Sequence, residues 1–341
     1  MWAPGYYNRE AGHARPPLMS KGLMTEAVHN PLDRPPPKGT QFDPLFLYAC
    51  GAAATLLLAV LGGLVIELTI NGWPAFHKFG FGFLTASTWD PVAEVFGAAG
   101  PIVDTFVCAI MALVISLPLA FGVAVCLVEY CPSILRRPIG IAVELLAGIP
   151  SIVYGMWGLF IFAPLFAQYV QLPLTEAAPA GSIWDTLTAG VPNGANILTA
   201  SIVLAIMILP YMAAVLRELL LSVPPQLRES GYGTGATSFE VVMSISLPYV
   251  RRSAIGAVML GLGRALGETM AVTFVIGNSH DFPKSFFSSG STIASTIANE
   301  FNEATGVMHS AALIALGVVL LVMTFAVLAI ARFLLGSEQR A

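Results

Sequence analysis

Six long, mostly apolar stretches run through this chain of 341 residues, at about 44–70, 101–129, 138–163, 195–217, 253–277 and 308–335. Crossing roughly 30 Å of hydrocarbon as a helix takes about 20 such residues. Each stretch is too long and too uniformly apolar to be an amphipathic surface helix. Only 11% of the residues are charged, against roughly a quarter in an average soluble domain. A water-facing globule is therefore excluded, and the expected fold is an all-α, six-span membrane protein.

The basic residues set an orientation. Arg9, Arg15, Lys21, Arg34 and Lys38 precede the first stretch, and Arg136 and Arg137 lie between the second and third. Arg217, Arg228, Arg251 and Arg252 surround the fourth connection, and Arg332 and Arg340 close the chain. With alternating spans all of these fall on one side, leaving Lys78 and Lys284 on the other and Arg264 inside a span. Both termini are thus expected in the cytoplasm, with the connections near 71–100, 164–194 and 278–307 outside. The outer connections carry Asp90, Glu94, Glu176, Asp185, Asp281, Glu300 and Glu303. These acids fit either ordinary solvated loops or a docking face for an extracytoplasmic solute-binding protein.

The remaining composition argues against other chemistries. Residues 1–43 are polar and proline-rich and lack the basic and apolar regions of a secretory signal, so they read as a poorly ordered cytoplasmic tail. Residues 336–341 form a short cytoplasmic tail, leaving 44–335 as the transmembrane domain. Cys50, Cys108, Cys126 and Cys131 form no C-x-x-C pair and read as reduced thiols, and the five histidines lack metal-ligand spacing. No metal site is expected. No Gly-Lys dipeptide occurs, so the chain has no phosphate-cradling loop of its own for ATP.

The longest cytoplasmic connection, 217–252, carries the most specific pattern. It reads Glu229-Ser230-Gly231, three residues, Gly235, nine residues, then Ile245-Ser246-Leu247-Pro248. Pro224-Pro225 should end the preceding helix. A short helix is expected over Glu229–Thr234, a tight turn at Gly235, and a second helix from about Ser238 to Leu247, before Pro248. This helix–turn–helix resembles the coupling loop of the permease subunits of ATP-binding-cassette importers, although those usually have two alanines where Ser230 and Gly231 stand. The resemblance implies a partner ATPase that uses ATP and magnesium; the plain alternative is an amphipathic surface hairpin.

The fifth stretch contains Arg264 and Glu268. Arg264 lies about 16 Å from the cytoplasmic edge at 1.5 Å per residue, near the bilayer midplane. A charge there costs about 2.5–3.5 kcal/mol or more and should face the bundle interior or a water-filled path. Glu268 falls four residues on, on the same helical face. The pair can simply neutralise itself. Alternatively, Arg264 contacts a translocating anion while Glu268 keeps it from binding too tightly, and a guanidinium suits oxyanions such as phosphate. Thr269 follows on the same path. Gly263 and Gly267 form a G-x-x-x-G pair that predicts close helix packing, within the chain or against a second permease. Both readings place the fifth span centrally. Glu144 fits a cap or a pair with a basic residue at the cytoplasmic edge, with a transport role as the alternative, and Asp104 and Glu67 are placed either to reach water at the outer edge or to line an outer vestibule.

The segments ELLAGIPSIVYG (144–155) and GLGRALGETMAV (261–272) are similar to signatures of the permeases of the high-affinity phosphate importer. Gly277-Asn278, Phe83-Leu84-Thr85 and Trp89-Asp90-Pro91 resemble its C-type rather than its A-type subunit. The resemblance covers most of 44–335. It implies a type I importer fold (a MetI-like transmembrane domain), a heterodimer with the A-type permease, two copies of a cytoplasmic ATPase and a phosphate-binding protein outside. It also implies a transport role for Arg264 and Glu268, and no catalysis by this chain. Alternatives are a permease for sulfate or molybdate, an autonomous secondary transporter, and a membrane scaffold in phosphate signalling.

Overall fold

The computed structural model describes residues 43–179 and 181–337. The expectations for the N-terminal tail before Asp43 and for 338–341 lie outside those residues. The described chain falls into two units, one ending at Val60 and one beginning at Leu61. In the first, the N-terminal half of helix α1 (Asp43–Phe79) exposes Leu45, Phe46, Leu47, Leu56, Leu57 and Leu58. An apolar helix exposed in this way suits contact with lipid.

The second unit holds the rest. Within it the C-terminal half of α1 crosses a small-residue face, with Gly72 against the backbone of Ala315. After α2 (Gly82–Thr85), the antiparallel strands β1 (Trp89–Asp90) and β2 (Val95–Phe96) pair Trp89 with Phe96. Helix α3 (Ala99–Val125) ends in a π-helical turn, Cys126–Tyr130. Helix α4 (Ser133–Ala147) stops at Gly148 and Pro150. Then α5 (Ser151–Trp157), α6 (Ala163–Phe166) and α7 (Leu172–Ala177) join through π-helical turns into one rod. The short α8 (Ile183–Thr188) lies before α9 (Ile197–Leu221).

The connection after α9 forms α10 (Pro225–Gly233) and α11 (Ser238–Val241), and α12 spans Leu247–Leu266. Helix α13 (Met270–Val275), α14 (Ile293–Glu300) and α15 (Val307–Ser337) complete the order.

Five helical segments among the described residues are long and apolar enough to cross a membrane: 44–79, 99–130, 151–177, 197–221 and 307–333. Two expected spans differ. The third does not run 138–163; it is broken at Gly148-Ile149-Pro150, because Pro150 disfavours helix in the residue before it, and the apolar rod begins at Ser151. The fifth, expected as one helix over 253–277, is interrupted at Gly267-Glu268-Thr269. Of the five segments α9 is the most buried within this chain, its apolar window 67% buried against 28% or less in the other four. Helix α9 packs most extensively on α3, in a core that includes Ala109, Ala112 and Ala120 of α3 and Leu204, Ile208 and Met212 of α9. The alanines let the two backbones approach closely without a hydrophobic driving force from water.

Candidate functional site

The interruption after Leu266 decides the geometry around the intramembrane charges. Gly267 caps α12 and is exposed, and α13 restarts at Met270. The carboxylate of Glu268 turns to this restart, where its Oε1 accepts the backbone N–H of Ala271 at 3.2 Å. Such an acceptor satisfies one of the first donors of a helix. Arg264 stays on α12, with its guanidinium carbon 5.7 Å from the ring centroid of Tyr211 on α9. Among the described residues no ion pair joins Arg264 to Glu268. The expectation of an i,i+4 pair fails because the two residues do not share a helix. Tyr211 was not anticipated; an aromatic one helix away carries no spacing signal in the sequence. Thr269 sits at the break, half-buried, its hydroxyl reaching the carbonyl of Gly267 at 3.4 Å.

The G-x-x-x-G expectation is not met within the chain. Gly263 has only Leu328 of α15 at ordinary van der Waals distance, 3.9 Å, and Gly267 lies beyond the helix end. Close contact on α12 falls instead at Gly261, where an added Cβ would stand 2.8 Å from the sulfur of Met212. Arg264 is exposed from this chain rather than directed into its core.

The hairpin of the 217–252 connection forms with shifted bounds. Helix α10 begins at Pro225, earlier than the expected Glu229, because proline suits the first turn of a helix. Glu229 and Ser230 are exposed on it, and Gly231 is buried, an added Cβ there meeting Ile245 and Val241. Gly235 makes the turn at φ +86°, as the tight turn required. Thr237 and Glu240 form a reciprocal capping box at the start of α11. These hydrogen bonds hold the Glu240 carboxyl below its usual pKa.

Pro248 does not end the second helix. A π-helical turn over Val242–Ser246, containing Ile245, connects α11 to α12, so that Leu247 and Pro248 open α12. At that point the missing N–H of proline is tolerated. The hairpin therefore runs without a helical gap into the helix that carries Arg264. At its other edge Arg217 binds Glu144 at 3.2 Å and Glu218 at 2.9 Å, which supplies the basic partner expected for Glu144.

A polar cluster joins the connections near 71–100 and 278–307. Glu300 accepts from Trp89 Nε1 at 2.8 Å and lies 2.8 Å from His309 Nε2 and 3.0 Å from His280 Nε2. Trp89 stacks on His280, and Phe96 on His309. Two polar clefts of about 580 and 470 Å³ flank the cluster, one lined by Glu94, Glu300 and Glu303, the other by Asp90, His280 and Asp281. Asp104 does not reach water. It is buried at the outer end of α3 and accepts the N–H of Ser291 at 2.8 Å. Glu67 is exposed.

Burial alone would push the Glu300 carboxyl up, but its contacts with His280, Trp89 and His309 outweigh it, and its pKa falls below the ordinary 4.5. A depressed carboxylate contributes stability that is present above its unfolded pKa and lost as pH falls through the lower folded value. Glu300→Gln should therefore flatten the acid limb of thermal stability below pH 4.5, measured by melting in detergent across that range; an unchanged limb would refute the assignment.

The family described as "Binding-protein-dependent transport system inner membrane component" matches residues 116–336. A Mesorhizobium japonicum protein named "Phosphate transport system permease protein PstC" is 49% identical over 293 residues, covering 86% of this chain and 90% of its own length. Proteins of the same name from Pasteurella multocida and Haemophilus influenzae are 49% and 47% identical, covering 83% and 88% of this chain and 88% and 95% of their own. Two crystal-structure chains of bacterial alginate ABC transporters superpose with TM-scores of 0.54 and 0.53. They are 16% and 14% identical, cover 82% and 85% of this chain and 92% and 98% of their own, and share its fold.

Proposed function

Because this chain belongs to the family of binding-protein-dependent transport system inner membrane components, whose phosphate-permease members match it along most of its length, we propose that it is the C-type permease subunit of an ATP-driven phosphate importer. It forms a heterodimer with an A-type permease, binds two copies of a cytoplasmic ATPase, and receives phosphate from a binding protein outside. Both termini face the cytoplasm of a bacterial inner membrane, as the basic residues argue. Catalysis of ATP hydrolysis, with its magnesium, belongs to the partner.

The observation that carries the reading is the broken helix at Gly267-Glu268-Thr269 beside Arg264. Non-helical backbone at membrane depth is tolerated where it is buried in protein or lines a water-filled cavity, and broken helices form the central sites of many transporters. Arg264 is exposed from this chain next to that break, so it faces the seam with the second permease and supplies the cation there. Glu268 is held at the start of α13 rather than on Arg264. The guanidinium is therefore not neutralised at rest and remains available to an oxyanion.

Access alternates when the ATPases close. They displace the hairpin around Glu229 and Gly235, and the uninterrupted path from α11 through Ile245, Leu247 and Pro248 moves α12 and Arg264. The test is binding-protein-dependent phosphate uptake into vesicles holding this chain, an A-type permease and the ATPase, with sulfate as competitor. ATP-dependent uptake insensitive to sulfate is expected. Hydrolysis without phosphate uptake would show that the substrate is another anion.

A further inference from the structure

The path through α12 is not the only connection of the cytoplasmic hairpin to the membrane helices. At the end of α3 the chain widens into the π-helical turn Cys126–Tyr130, closed by the N–H of Cys131 on the carbonyl of Cys126 at 2.8 Å. Such turns re-aim side chains and are frequent at functional positions. Here the side chain of Glu129 is only 5% exposed. One of its oxygens accepts from Arg228 Nη2 and the other from the Tyr232 hydroxyl at 3.1 Å. Arg228 and Tyr232 are four residues apart on α10 and share one face. Glu229, between them in sequence, is exposed. Helix α10 thus presents Glu229 outward while both oxygens of one buried carboxylate grip its inner face.

The other end of α3 is also tied. Asp104 accepts the N–H of Ser291, and the Thr105 hydroxyl accepts the N–H of Ile293 at 3.0 Å. Both acceptors hold the outer segment that enters α14. From Glu129 to Asp104 the helix spans about 37 Å at 1.5 Å per residue, close to the full membrane thickness. A single helix is therefore bonded to the hairpin at one end and to the outer connection at the other.

We propose that Glu129 is a positioning residue for energy coupling: it transmits displacement of α10 to α3, and through Asp104 and Thr105 to the outer segment before α14. This rests on α10 being the ATPase-docking helix. The route runs beside the covalent one through α12, so the same stroke reaches the outer face and the intramembrane arginine together. A carboxylate held by a guanidinium and a phenol is suited to this, because charge-assisted hydrogen bonds are short and directional and losing one partner leaves a buried charge uncompensated.

A merely structural role would lower the amount of assembled complex and leave uptake per ATP unchanged. The experiment measures binding-protein-stimulated ATP hydrolysis and phosphate uptake in the same vesicles, using the full complex. Glu129→Ala and Arg228→Ala should each lower uptake per ATP by roughly tenfold. The double variant should be no worse than the worse single, since the two residues act as one unit. Exchanging the pair, Glu129→Arg with Arg228→Glu, should recover part of the loss. A wild-type ratio in Glu129→Ala, or additive losses, would overturn the proposal. Should Glu129→Ala fail to assemble, Tyr232→Phe removes only the phenol hydrogen bond and should still lower the ratio by about two- to threefold; an unchanged ratio would equally overturn it. Gly235→Leu is measured alongside. If it uncouples and Glu129→Ala does not, this proposal alone fails; if neither uncouples, the docking assignment fails with it.

Discussion

Replacing Arg264 with glutamine is expected to lower phosphate uptake by about a hundredfold, as the loss of one or two charge-assisted hydrogen bonds of roughly 1.5–3 kcal/mol each implies. Glutamine keeps a polar side chain of similar reach but carries neither charge nor a guanidinium fork. Lysine keeps the charge without the fork, so Arg264→Lys should retain a small part of the uptake. Folding of this subunit should survive both changes, because Arg264 is exposed from this chain and its described contact is with the Tyr211 ring. That contact is worth about 0.5–2 kcal/mol at most. The check is uptake into vesicles with matched amounts of assembled complex. Unchanged uptake in Arg264→Gln would remove Arg264 from the substrate path.

The second large effect belongs to Gly235. Its φ of +86° lies where side-chain-bearing residues are strained, yet among the described residues no neighbouring atom lies within 4 Å of an added Cβ. A leucine there costs roughly 1–2 kcal/mol of backbone strain, and its Cβ stands in open space. Gly235→Leu should therefore leave membrane insertion intact while lowering uptake about tenfold or more, since strain reshapes the turn and the added bulk meets the partner's groove. Asparagine tolerates left-handed backbone, so Gly235→Asn separates the two causes. Recovery with asparagine would assign the loss to backbone conformation; a loss as deep as with leucine would assign it to bulk at the docking surface. Normal uptake in Gly235→Leu would refute the coupling role of this turn.

Much of the molecule was legible because membrane helices are written in long apolar runs. The segments beginning near 44, 101, 195 and 308 appear close to where hydropathy placed them. The turn of the 217–252 hairpin was readable for a local reason, a glycine where the backbone reverses, whereas the helix start at Pro225 and the Thr237–Glu240 capping box emerged only in the structure. The pairing of Glu144 with a basic group was also foreseeable, since an acid near a membrane edge is drawn to a nearby cation.

The errors share a cause. A helix–break–helix and a single helix can have the same apolar composition, so the interruption at Gly267-Glu268-Thr269 was invisible to hydropathy. With it went the shared helical face of Arg264 and Glu268 and close packing at Gly263 and Gly267 within this chain. The third span slipped because Pro150, not the boundary of the apolar run, sets where the rod starts. Asp104 looked like a residue that would reach water, but the Ser291 amide meets it inside the protein.

From the sequence alone came the class of fold and most of the long apolar helices, because each depends on composition or on contacts within a few residues. Only the tertiary structure decided which apolar segment is most buried, what faces Arg264, and that Glu129 grips Arg228 and Tyr232 about a hundred residues away. Those contacts join residues distant along the chain, and no periodicity encodes which buried acid will meet which cation when the helices pack.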